Sequence, residues 1–76
     1  MGSIALHHAV RLDEHEEALR EGAHSAYDVA QIVWGGTLGF HEQRFALAEA
    51  LAHIERLELL GRAVQVEPNR WRAAAR

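Results

Sequence analysis

The chain has 76 residues, a formal net charge of -3 and no cysteine. A chain this short buries only about 60% of the surface its unfolded form exposes, which leaves room for one small core and none for a deep catalytic cleft. Without cysteine there are no disulfides or thiolate metal sites. No apolar run approaches the roughly 20 residues of a membrane span, and no charged start followed by an apolar stretch marks a secretory leader, so the expectation is a soluble, cytoplasmic domain.

Met1, Gly2 and Ser3 read as an expression remnant, residues 1-3, which leaves residues 4-76 as the domain. The first helix is expected over residues 7–21 with Gly22 as its stop. Its core positions are Leu12, His15 or Glu16 (stem only), Ala18 and Leu19. The remainder is acidic, with Asp13, Glu14, Glu16, Glu17 and Glu21, and Glu16 and Arg20 form an i,i+4 pair. Ser25 is placed to cap a second helix, and Asp28 adds favourable charge to its first turn. Ala26, Val29, Ala30, Ile32 and Val33 supply an apolar face. The helix ends at Trp34, Gly35 and Gly36, because paired glycines cost a helix backbone entropy; Trp34 reads as a partly buried edge of the core.

The third helix starts near His41 and runs for about 20 residues to a stop at Gly61 and Arg62. Leu47, Leu51, Ile54 and Leu57, with Leu60 as a further candidate, recur at spacings of three and four and form a core stripe. Ala46, Glu49, Ala50, His53 and Arg56 fall outside it. An alternating run, Ala63 to Val66, follows at once; Glu67, Pro68 and Asn69 signal a turn, and Arg70 to Ala73 form a second short run. Val64 and Val66 are expected to face inward with Trp71 opposite them. The fold class is therefore mainly α with a small β wing: a winged helix, three helices plus a C-terminal β-hairpin.

A winged helix binds nucleic acid, binds another protein, or serves a larger enzyme. A helix that reads bases presents Arg, Lys, Asn or Gln to their edges. The third helix offers Gln43, Arg44 and Arg56 but also Glu42, Glu49, Glu55 and Glu58, which repel phosphates. All eight basic residues are arginine, and the wing is better supplied: Arg62, Arg70, Trp71 and Arg72 are the candidate nucleic-acid contacts, with Arg76 beyond them. The six histidines, His7, His8, His15, His24, His41 and His53, form no His-x-His or His-Glu-x-x-His pattern, so no metal site is expected. No nucleophile–histidine–carboxylate set stands out, and no Gly-Lys-Ser/Thr follows Gly35, Gly36 and Gly39. The chain by itself is not expected to be an enzyme, and no catalytic residue is assigned.

The segment SAYDVAQIVW, followed by ALAEALAHIERLELLGRAV, resembles the C-terminal winged-helix domain of metallo-β-lactamase-fold hydrolases, the β-lactamase-associated winged helix. The likeness spans roughly residues 6 to 66. His8 and Arg11 match a His and Arg near the start of the family's first helix, and Gly22 and Ser25 to Asp28 match its glycine turn and second helix start. Glu49, His53, Ile54, Leu57, Gly61 and Arg62 match the end of its third helix.

The resemblance implies a non-catalytic accessory domain that packs on the catalytic metallo-β-lactamase-fold domain of the same polypeptide and shapes substrate access. In that family the catalytic domain carries a His-x-His-x-Asp-His motif that binds two metal ions, zinc by expectation, and hydrolyses thioesters, related esters or RNA. The motif is absent from this sequence. Most matched positions have a folding role; His8, Arg11 and His53 have none evident and are the candidates for the domain interface or substrate edge. The alternatives are a free-standing nucleic-acid-binding module, disfavoured by the acidic third helix, and a protein-interaction adaptor using the acidic first helix.

Overall fold

The computed structural model describes residues 3–35 and 39–75, with side chains described from Ala9 onward except that of Phe40. Three helices, α1 (Ser3–Arg20), α2 (Ala26–Trp34) and α3 (Phe40–Leu59), precede an antiparallel hairpin of β1 (Ala63–Glu67) and β2 (Arg70–Ala73). This is a mainly helical, winged-helix-like arrangement. α1 begins four residues earlier than its sequence start near residue 7 suggested, since Ile4, Ala5 and Leu6 contain no helix breaker.

Local chemistry sets the boundaries. Ser25 Oγ accepts the Asp28 N–H at 3.1 Å, and the Asp28 carboxylate accepts the Ser25 N–H at 3.3 Å, a complete capping box. At the end of α3, Gly61 takes φ 73°, a left-handed conformation that side chains with a Cβ resist. Arg62 N–H then reaches back to the Leu57 carbonyl at 2.7 Å. Asn69, at φ 63°, turns the hairpin; asparagine tolerates that region better than most residues.

The core gathers Ala18 and Leu19 of α1, Ala26, Val29 and Ala30 of α2, Ala46, Ala50, Ile54 and Leu57 of α3, and Ala63 and Trp71 of the hairpin. On α3, Ile54 and Leu57 of the expected stripe are fully buried, but the rest of the stripe is not. Ala46 and Ala50 are buried, Leu47 is only partly so, and Leu51 and Leu60 are exposed at 38% and 47%. Small residues let helices approach closely, so the buried face of α3 follows its alanines. Ile32, expected on the apolar face of α2, is likewise exposed, while Trp34 packs at the core edge as expected.

The wing also departs from expectation. Ala63 pairs with Ala73, Val64 with Arg72, Gln65 with Trp71 and Glu67 with Arg70, with an irregularity between Gln65 and Glu67. Side chains alternate along a strand, so Ala63 and Trp71 face the helices, whereas Val64 and Val66, predicted to point inward, are exposed. A third segment joins this sheet. His24, between α1 and α2, exchanges two backbone hydrogen bonds with Trp71 at 2.8 and 2.9 Å, which places β2 between that bridge and β1.

Candidate functional site

The three helices meet at a cluster of rings. His15 on α1 is fully buried, and its Nδ1–H donates to the Arg11 carbonyl at 2.6 Å. A carbonyl only accepts, so Nδ1 carries the proton and Nε2 holds the bare lone pair; that buried Nε2 has no hydrogen-bond partner. His53 on α3 repeats the pattern, with Nδ1 2.6 Å from the Glu49 carbonyl and the Glu49 carboxylate at 3.9 Å. The two imidazoles stack with centroids 4.2 Å apart and planes 4° from parallel. Trp34 meets His15 edge-on at 5.2 Å, and the Arg11 guanidinium lies 5.1 Å from the Trp34 ring centre, a cation–π contact. Burial pushes the His15 imidazole below its ordinary pKa; the Arg11 carbonyl opposes this, and His53 adds to it.

Of the three interface candidates, the structure thus brings Arg11 and His53 into one cluster through Trp34 and His15; the side chain of His8 lies outside the described residues. The cluster does not suit a metal ion. Lone pairs lie in the ring planes, and two parallel planes give no common point for them to meet. Among the described residues no group of three His, Asp or Glu side chains converges.

Beside the cluster a groove of about 530 Å³ runs between α1 and α3, lined by Ala9, Leu12, Glu49, Ala52, His53 and Arg56. Glu49 also borders a smaller hollow of about 260 Å³ shared with Trp34, Glu42, Phe45 and Ala46. On this side of α3, Phe45 and Leu59 stand 76% and 81% exposed. Phe45, Ala52 and Leu59 are each two turns from the next, so they share one face of the helix. The sequence already points to an exposed apolar patch, since a three-helix core has no room for all of Ile4, Leu6, Val10, Phe40 and Phe45. Phe45 and Val10 are exposed, the other three side chains lie outside the described residues, and Ala52 and Leu59 are not singled out by the sequence.

The wing candidates are differently placed. Arg62 donates to Asp13 at 2.7 Å and to Glu16 at 2.6 Å, tying the end of α3 to α1, and these two carboxylates hold its pKa above its already high range. Its Nη2 is directed at two carboxylates within the domain. Trp71, a contact candidate in the nucleic-acid alternative, is only 7% exposed and belongs to the core. Arg70 donates to the Ala23 carbonyl at 2.6 Å, and Arg72 to the Ala73 carbonyl at 3.1 Å; both remain exposed. The acidic first helix is also largely engaged: Arg11 pairs with Glu14, and Arg20 with Glu16 and Glu17. No helix among the described residues is long and apolar enough to cross a membrane.

A crystal structure of a beta-lactamase domain protein from Burkholderia ambifaria superimposes on this fold with a TM-score of 0.81 and 33% sequence identity, covering 96% of this chain and 23% of that one. The chain therefore spans less than a quarter of that protein's length. No curated protein matches. The family profile described as "Metallo-beta-lactamase-like, C-terminal domain" matches residues 12–72, a span that takes in His53, the Arg62 tie and all of the hairpin but Ala73. On that match the chain belongs to the metallo-beta-lactamase-like C-terminal domain family.

Proposed function

We propose that this domain is the non-catalytic accessory part of a metallo-β-lactamase-fold, metal-dependent hydrolase, packing on the catalytic domain of the same polypeptide and shaping substrate access. The observation that carries this is the near-complete correspondence of the fold with a minor portion of a beta-lactamase domain protein. The two metal ions, zinc by expectation, would belong to the catalytic domain, in keeping with the poor fit of the His15 and His53 pair to an ion. The nucleic-acid alternative has less support: Arg62 is engaged internally, Trp71 is buried, and α3 carries Glu42, Glu49, Glu55 and Glu58. The adaptor alternative loses ground for the same reason, since the acidic face of α1 is already paired with arginines.

The test is the size of the native product in its source cells, by immunoblot with an antibody to this domain. A band at roughly 25–35 kDa, the size of this domain plus one larger one, is the expected result. A band at the size of this chain alone would overturn the proposal.

A further inference from the structure

We infer that the groove between α1 and α3, together with the Phe45, Ala52 and Leu59 side of α3, is the seat on which the preceding domain of the polypeptide docks; this rests on the accessory-domain reading above. The face is apolar where a lone domain has no use for it. Phe45 and Leu59 are the two most exposed large hydrophobic residues described. Contiguous apolar surface rimmed by polar groups marks an interaction site.

The rim supplies the polar part. Glu49 and Arg56 lie two turns apart at the groove, with opposite charge. Arg56 makes no side-chain hydrogen bond or ion pair among the described residues. An unpaired guanidinium beside an alanine and leucine floor fits an apolar segment that carries a carboxylate. Such a mixed surface matches the interfaces between domains of one chain, which are more polar than obligate ones.

Chain continuity selects the occupant. In a C-terminal domain the preceding chain enters at the N-terminal side of the first helix, α1. Ala9 and Leu12, which wall the groove, lie in the N-terminal two-thirds of that helix. A domain joined there is held beside the groove at high effective concentration, so a modest surface suffices to keep it docked. In the Burkholderia protein the matching region is 23% of the chain, which leaves ample polypeptide to occupy such a seat.

The experiment is hydrogen exchange on the full-length natural protein, read over residues 44–60, in the wild type and in Ala52→Arg and Phe45→Glu. Both positions are exposed, so neither substitution disturbs the core. Val64→Glu, on the exposed side of the wing, is the control. Docking predicts that each α3 variant raises exchange in this segment by about tenfold or more, while the control leaves it unchanged. Unchanged exchange in both α3 variants would overturn the docking seat and leave the accessory-domain reading intact. Protection that rises with protein concentration, with a doubled mass lost in Ala52→Arg, would also overturn it by making the occupant a second copy. A native product with no preceding domain sinks the accessory-domain reading itself, and is seen in the immunoblot before any variant is made.

Discussion

His15 and His53 lie face to face across the junction of α1 and α3, 4.2 Å between ring centroids and 4° from parallel. Each gives its Nδ1–H to the backbone carbonyl four residues earlier in its own helix. Both rings are thereby fixed in one tautomer and one orientation, and Trp34 closes the third side. The junction favours a neutral His15, which has no contact with bulk water and has the Arg11 guanidinium nearby.

Stability should therefore fall in mild acid. The unfolded His15 titrates near its ordinary value of 6.5, and the folded one lower, because of burial first and the neighbouring His53 next. The unfolded state then binds more protons across that window, so stability is full above about pH 6.5 and is lost as the pH falls through the folded pKa. Arg11 and Glu14 on α1 and His53 on α3 are the charged or titratable neighbours, and Glu14 and Arg11 act in opposite senses. Thermal melts between about pH 7.5 and pH 5 should show this decline, and His15→Leu should flatten it. An equal slope in that variant would place the sensitivity elsewhere.

Arg62→Ala should destabilise the domain by about 1–2 kcal/mol in urea unfolding, the scale of losing hydrogen bonds to charged groups at a partly exposed site. Glu16 keeps Arg20 at 3.3 Å, which limits the loss. Arg62→Lys should recover only part of it: one terminal nitrogen, Nη2, reaches both Asp13 and Glu16, and the lysine ammonium sits on a side chain one bond shorter. Full recovery by lysine would mean that charge alone matters there.

Ala50→Leu and Leu51→Ala separate the two descriptions of α3. Ala50 is fully buried, so the added carbons should cost about 1–3 kcal/mol through overpacking. Leu51 is 38% exposed, and its truncation should cost well under the about 2–5 kcal/mol typical of a buried leucine. The reverse ranking in denaturant midpoints would restore the leucine stripe as the core.

The sequence by itself determined the order of elements, the Ser25 cap, the stops at Gly22, Gly35 and Gly61, the hairpin turn and the Glu16–Arg20 pair. These depend on residues within a few positions of one another, where backbone conformation and short-range hydrogen bonds dominate. The family likeness also lay in contiguous segments, from Ser25 to Trp34 and from Ala46 to Val64. Only the tertiary structure decided which face of α3 is buried, which strand residues point inward, and what Arg62, His15 and His53 touch. Leu51 and Ala50 are adjacent, and hydrophobicity favours the leucine; the close approach of neighbouring helices gives the buried place to the alanine. Likewise His15 and His53 are far apart in the chain and each looks solitary, because a stack between two helices depends on how they pack and leaves no local pattern in either one.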